Sequence, residues 1–268
     1  MVAHNSNFTV GAAGSFGTDP SLSQQAFDRD GFVDVRGFLS ASDARALLNQ
    51  VERFIREIVP KMPPEHVFYE DKERHETLKQ LQSMHTYDEY FGQLFEQGRL
   101  RELAAHLLQD EVRPVNMQYF NKPASVGLAT PAHQDGYYFM LDPCEAVTMW
   151  LSLEHVDEEN GCVRYVRESH CRGMRPHGRT RTLGFSQGIT DFPRPEDLAD
   201  EVALPTQPGD LLVHHAMTIH RADGNRATTR SRRALGFVYF AQRTREDAVA
   251  KAAYQARLTA EWKKEGKL

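Results

Sequence analysis

The chain reads as a mainly β domain, a sandwich, jelly roll or barrel, with helices at its flanks. Three observations say so. From Val112 to about residue 240, short alternating or β-branched runs recur at 112–120, 146–153, 161–166, 200–204, 210–215 and 232–240, with turn signals between them. Helical periodicity is confined to the segments before and after that region. The composition, 40% hydrophobic and 26% charged over 268 residues, is that of a globular domain with a substantial core.

Residues 1–22 are rich in Gly, Ser and Asn and read as a loose tail. Gly31 to Phe38 alternates and reads as a strand. Ser40 or Ser42 then caps a helix whose stripe is Leu47, Leu48, Val51, Phe54, Ile55 and Ile58. Pro60, Pro63 and Pro64 end it. Residues 71–108 carry two or three helical patches. Asn160-Gly161, between Val147–Leu153 and Cys162–Val166, is close to a hairpin signal. Pro208-Gly209-Asp210 is a turn before the Leu211 strand. A last helix over about 245–266 puts Ala250, Tyr254, Leu258 and Trp262 on one face. Residues 23–268 are therefore expected to form one domain: a helical part to about 110, a β core over about 111–241, and the C-terminal helix.

The formal charge of −5 argues against general nucleic-acid binding. One stretch runs against it: Arg164, Arg167, Arg172, Arg175, Arg179 and Arg181, with His170 and His177. It is either an exposed basic loop or a contact for an anionic ligand. Cys144, Cys162 and Cys171 form no CxxC pair, which fits free thiols in a reducing compartment. No signal peptide and no apolar run of transmembrane length is read, so the expected location is cytoplasmic, with no membrane partner.

The chemistry concentrates in Pro131-Ala132-His133-Gln134-Asp135-Gly136. In extended backbone, residues two apart share a face, so His133 and Asp135 can reach one metal ion. His220, far along the chain, supplies a second imidazole. Two histidines and a carboxylate with open positions left over are the ligand set of non-haem Fe(II) oxygenases. A carboxylate-bearing cosubstrate then needs a planar, bidentate donor, which suits arginine. Arg230, Arg232 and Arg233 lie at the right place. Arg232 shares a strand face with the small residues Ala234 and Gly236, which leaves room for a ligand. His214, His215 and His220 also admit a zinc cluster, although alternation sends His214 and His215 to opposite faces.

Several segments together carry a family resemblance. They are Phe27-Asp28-Arg29-Asp30-Gly31-Phe32-Val33, Gly37-Phe38-Leu39, Phe120-Asn121-Lys122-Pro123, His133-Gln134-Asp135, Met149 to Glu154, Glu159 to Cys162, Gly209-Asp210, His220, Asn225 and Arg232. From about residue 26 to 241 the chain resembles the phytanoyl-CoA dioxygenase (PhyH) family of Fe(II)/2-oxoglutarate oxygenases. The resemblance implies a double-stranded β-helix (jelly-roll, cupin-like) core. It implies Fe(II) held by His133, Asp135 and His220. It also implies 2-oxoglutarate bound by Arg232, with Gln118 and Trp150 lining its site, and O2 as co-reactant. Arg167-Glu168-Ser169-His170 stands where the family has Pro-Gly-Ser-His. The spacer from His220 to Arg232 is about one residue longer than the family pattern, which keeps Arg230 and Arg233 open. Asp135 sets the chain apart from the halogenases, which lack that carboxylate. The implied activity is hydroxylation of an unactivated carbon of a small polar or anionic metabolite, with release of succinate and CO2. The alternatives are a jelly-roll binding protein without turnover and a zinc-dependent hydrolase.

Overall fold

The computed structural model describes residues 20–180, 182 and 186–264. Arg181 and the side chain of Trp262 lie outside the described part, as does the expected tail up to residue 19. Residues 20–22 already belong to a helix, α1 (Pro20–Asp30).

Among the described residues, fifteen strands follow in chain order. They are β1 (Phe32–Val35), β2 (Val67–Tyr69), β3 (Leu78–Leu81), β4 (Val112–Lys122), β5 (Thr130–His133), β6 (Leu141–Asp142), β7 (Ala146–Ser152) and β8 (Val163–Val166). Then come β9 (His177–Arg179), β10 (Gln187–Ile189), β11 (Glu201–Leu204), β12 (Leu211–His215), β13 (His220–Ala222), β14 (Arg232–Ala241) and β15 (Arg245–Glu246). The other helices are α2 (Ala41–Glu57), α3 (Glu89–Glu96), α4 (Arg99–Leu108), α5 (Gly136–Phe139), α6 (Pro195–Asp200) and α7 (Ala248–Lys264).

A seven-stranded sheet, in the order β1-β12-β7-β14-β4-β3-β2, is the major layer. A four-stranded sheet, β11-β8-β13-β5, is the minor layer. All pairings are antiparallel, as a jelly roll requires. The alternation of β14 builds both sides of the major sheet. Leu235, Phe237 and Tyr239 are fully buried on one face, in the core shared with α2, α3 and α4. Arg232, Ala234, Gly236 and Val238 take the other face, which carries a second apolar cluster of Trp150, Leu212 and Ala234 with Val163 and Tyr165 of the minor sheet. Helix α2 is capped by Ser40, whose Oγ accepts from the Asp43 amide. It buries Ala44, Leu47, Val51 and Phe54; burying each of the three larger side chains contributes about 1.5–3 kcal/mol.

One expectation changes, and one is extended. Asn160-Gly161 does not close a hairpin: β7 pairs with β12 and β14, whereas β8 pairs with β11 and β13. The segment is a corner passing between the sheets. The Asn160 amide donates to the carbonyls of His155 and Ser231, and Gly161 sits at φ +86°. In that region a side chain is strained, and a Cβ there would run into the Asp223 carbonyl. The segment 71–108 carries the expected helical patches as α3 and α4, and Leu78–Leu81 adds a strand, β3, to the major sheet.

Candidate active site

The two sheets enclose a cluster of buried polar side chains. His133 ends β5 and His220 begins β13, and the two are direct register partners. Their ring centroids lie 4.1 Å apart. The His133 Nδ1–H donates to the Pro131 carbonyl (2.8 Å) and the His220 Nδ1–H to the Thr218 carbonyl (3.0 Å). Each contact favours the tautomer that leaves Nε2 as the metal-ligating atom. Both Nε2 atoms face one oxygen: Asp135 Oδ1 is 3.5 Å from His133 and 3.8 Å from His220. Among the described residues, His133, Asp135 and His220 are the one such group whose ligand atoms all lie within 4.8 Å of one another.

Asp135 arrives there by a different route from the expected one. It is not on the strand but in α conformation (φ −59°, ψ −33°), capping α5. A turn after His133, not strand alternation, brings the pair together. Its second oxygen, Oδ2, accepts from Thr148 Oγ1 (2.5 Å) and from His214 Nε2 (3.1 Å). The Tyr165 hydroxyl donates in turn to His214 Nδ1 (3.0 Å). Burial alone would raise the Asp135 carboxyl. The neighbouring imidazoles, His220 first and then His133 and His214, outweigh it and hold the group well below the ordinary carboxylate value. Burial and the other two imidazoles push His220 well below its usual value, so it is neutral. Two imidazoles and one ionised carboxylate suit a divalent cation, and Fe(II) is within that class.

The zinc alternative loses its geometry. His214 points to the site, but His215 lies on the opposite face, its ring 6.0 Å from Phe27 and 5.7 Å from His170. The three imidazoles do not converge.

Arg232 is 4% exposed. Its Nε donates to the Gly161 carbonyl (3.0 Å), and its guanidinium lies 4.9 Å from the Trp150 ring. No carboxylate among the described residues pairs with it. Burial pushes it down to about 10, so it keeps its charge at neutral pH. Its register partner Lys122 is a second buried basic group, held well below the ordinary lysine value by burial and by the charge of Arg232. Arg230 and Arg233 are committed elsewhere, to Asp157 and Glu159 and to Glu154 and Glu52 respectively. Gly236 is the register partner of both Trp150 and Gln118. A Cβ at Gly236 would come within 2.7 Å of the Phe120 ring, so the floor between Trp150 and Gln118 is kept low. Gln118 accepts from the Gln80 amide (2.7 Å), and Gln80 Oε1 is buried without a partner. A buried cation without a carboxylate and an orphaned amide oxygen fit a small anionic, hydrogen-bonding ligand.

The basic stretch is mostly neutralised. Arg164 pairs with Glu158, Glu201 and Asp223; Arg172 with Asp200; Arg175 with Asp191 and Asp197. His177 accepts from the Gln134 amide (3.1 Å) and stacks on Tyr137. The buried Gln134 side chain bonds Gly173, Arg175 and Met217, pinning two loops to the His133–Asp135 turn. Sequence reasoning missed Thr148, Tyr165 and Gln134, and weighed His214 only as a zinc ligand. The one available signal was alternation: Thr148 shares a face with Trp150, and His214 with Leu212.

The family model described as phytanoyl-CoA dioxygenase (PhyH) matches residues 27–234. The chain belongs to this family of Fe/2-oxoglutarate oxygenases. The peroxisomal phytanoyl-CoA dioxygenase of Mus musculus is 26% identical over 222 residues, covering 77% of this chain. The chain spans only about 64–65% of the length of such mammalian relatives. EvdO2 from Micromonospora carbonacea var. aurantiaca, solved with 2-oxoglutarate, is 25% identical, with a TM-score of 0.68 over 87% of this chain and 95% of that one. The epimerase SnoN, solved with Fe3+, alpha ketoglutarate and nogalamycin RO, is 23% identical, with a TM-score of 0.68 over 84% of both chains, and shares the fold. No helix among the described residues is long and apolar enough to cross a membrane.

Proposed function

We propose that this chain is an Fe(II)/2-oxoglutarate-dependent dioxygenase that hydroxylates an unactivated carbon of a small polar or anionic metabolite in the cytoplasm. The observation that carries the reading is the pairing of two features between the same two sheets. One is the buried His133, Asp135 and His220 group. The other is Arg232, a buried guanidinium without a carboxylate. The fold neighbours solved with 2-oxoglutarate support the cosubstrate.

His133, Asp135 and His220 would hold Fe(II) on one side, leaving positions for cosubstrate and O2. The bound metal would supply O2 activation coupled to oxidative decarboxylation of 2-oxoglutarate to succinate and CO2. The backbone carbonyls of Pro131 and Thr218 keep the imidazoles aimed. Thr148 and His214 hold the Asp135 carboxylate by its outer oxygen, leaving Oδ1 toward the histidines. Arg232 would take the distal carboxylate of the cosubstrate in a bidentate contact, and Trp150 orients the guanidinium from one side. Gly236 leaves the space beside Gln118 and Trp150. The apolar wall of Leu212, Val163 and Tyr165 excludes water.

Anaerobic titration of the full-length protein with Fe(II) and then 2-oxoglutarate tests this directly. A weak visible charge-transfer band should appear only with both present, and should vanish in His133→Ala. A wild-type protein that binds neither Fe(II) nor 2-oxoglutarate would remove the reading.

A further inference from the structure

The strand that ends in His133 is the outer strand of the minor sheet, since β5 pairs with β13 on one side only. The amide that follows, at Gln134, therefore has no strand to pair with, yet Gln134 is 0% exposed. A buried N–H needs an acceptor. Here it is a side chain 43 residues away in sequence: the Gln134 amide donates to His177 Nε2 at 3.1 Å. An amide can only donate, so Nε2 presents its lone pair and the ring proton sits on Nδ1. That Nδ1–H donates to the Arg175 carbonyl (2.8 Å). Burial keeps the imidazole below its usual value, in agreement with this neutral form. Both nitrogens are occupied, and the ring stacks on Tyr137 with centroids 4.4 Å apart and planes 20° from parallel. The imidazole is held in one orientation.

We propose that His177 is a positioning residue for the metal centre, acting through the Gln134 amide to set the turn by which His133 and Asp135 meet. His133 ends an extended strand, and Asp135 is in α conformation. The change of direction falls on Gln134. Its N–H lies in the plane of the peptide that joins it to His133, and rotating that plane swings Asp135 relative to His133. Whatever holds the N–H direction holds the angle between the two ligands.

The Gln134 side chain extends the clamp. Its amide nitrogen donates to the carbonyls of Met217 (2.7 Å) and Gly173 (3.0 Å), and its oxygen accepts from the Arg175 amide (2.8 Å). The Met217 bond ties the turn to the segment that leads into His220. The bonds to Gly173 and Arg175 tie it to the segment that ends in His177. Residues 173–177 thus grip Gln134 by main chain and side chain together. The other side of this grip is apolar. His177 opens β9 opposite Ile189 of β10, and Ile189 packs with Ala132 and Ile219, the residues just before His133 and His220. Metal affinity and the order of residues 173–177 are therefore coupled, and such coupling is reciprocal.

The proposal rests on the metal half of the oxygenase reading and not on its cosubstrate. The test titrates the metal-free full-length protein with Mn(II), a first-row divalent ion, and follows it by paramagnetic resonance. The free-ion signal gives affinity, and the bound lineshape reports ligand geometry, which a purely structural role would leave alone. His177→Phe keeps a ring to stack on Tyr137 but has no acceptor. It should weaken Mn(II) binding about tenfold, the lower end for outer partners of metal ligands, and alter the bound lineshape. His177→Gln loses the stack but returns an acceptor oxygen near the place of Nε2. It should restore the lineshape and bring affinity to within about threefold of wild type. Wild-type affinity and lineshape in His177→Phe overturn the proposal. Equal losses in both variants also overturn it, because packing rather than the acceptor would then matter.

A measurement on the wild type alone covers the case in which His177→Phe does not fold. Adding Mn(II) should slow hydrogen exchange in residues 173–178 together with residues 133–136. Slowing confined to 133–136 contradicts the coupling. Mn(II) binding that is intact but indifferent to His177 sinks this proposal and leaves the oxygenase reading standing. A wild type that binds no Mn(II) sinks the proposal together with the metal site.

Discussion

Two sets of arginines in this molecule have opposite surroundings. Arg164, Arg172 and Arg175 sit in the segment where the sequence is most basic, and each is neutralised by aspartate or glutamate. Arg232 sits buried between the sheets, with a carbonyl and an indole for company and no carboxylate partner among the described residues. A paired arginine holds structure together. A buried arginine without a carboxylate is costly unless a ligand completes it. The density of positive charge along a chain therefore points to the wrong place here. What matters is which guanidinium the fold leaves without an acid, and that depends on partners such as Asp191, Asp197, Asp200 and Asp223 that are far away in sequence.

The comparison breaks most readily at Arg232. Arg232→Gln should weaken 2-oxoglutarate binding to the Fe(II)-loaded protein by at least about thirtyfold, since losing one partner of a buried charge pair costs 2–5 kcal/mol or more. The charge-transfer titration reads this directly. An affinity within threefold of wild type would move the cosubstrate elsewhere. Arg175 should show the complementary behaviour. It is 8% exposed and bridges Asp191 to the buried Asp197. Arg175→Met should cost about 3–5 kcal/mol of stability in denaturant unfolding, by leaving a buried carboxylate uncompensated. Its folded fraction should bind 2-oxoglutarate normally. Equal stability with weakened cosubstrate binding would reverse the roles assigned to the two arginines.

A third variant asks whether the metal end is built by partners as the paired arginines are. His214→Phe removes the contact to Asp135 Oδ2 and strands the Tyr165 hydroxyl. Outer partners of this kind are worth 10–100-fold in metal affinity, so Fe(II) binding should weaken by about that factor. His215→Phe, one residue on but facing Phe27 and His170, should leave Fe(II) affinity alone. Equal losses would mean that the opposite faces of β12 do not separate the two histidines in function.

Much of this was legible in the sequence, for a physical reason in each case. The stripe of α2 was readable because one helix face is buried against one core. The runs that became β7, β12 and β14 were readable because their side chains alternate between an apolar core and the inter-sheet space. The facing of Arg232 followed from the same alternation. β3 was not readable: Leu78-Lys79-Gln80-Leu81 buries all four side chains, polar ones included, so no period appears. Lys79 is there because Glu70 meets it at 3.2 Å, a contact with no local signature. Asn160-Gly161 carries a hairpin composition, yet side-chain bonds from Asn160 turn it into a corner between sheets. The residues of the candidate metal group were legible, but not the conformation that joins them, since Asp135 turns in as a helix cap. The shell of Thr148, His214 and Tyr165 depends on strand register across two sheets, which no local pattern encodes.

The smallest expected effect is the sharpest control on charge density. Arg172 and Asp200 form a pair at 2.5 Å, but both side chains are more than a third exposed. Water and salt screen such a pair, and exposed ion pairs are worth about 0–1 kcal/mol. Arg172→Gln should therefore shift the unfolding free energy by less than about 1 kcal/mol and leave 2-oxoglutarate affinity within about twofold of wild type. Raising the salt concentration should shrink even that stability difference. If instead Arg172→Gln lowered cosubstrate affinity as Arg232→Gln is expected to, the basic stretch would act through its overall field. Pairing in the folded state would then no longer distinguish the arginines that bind from those that hold the structure.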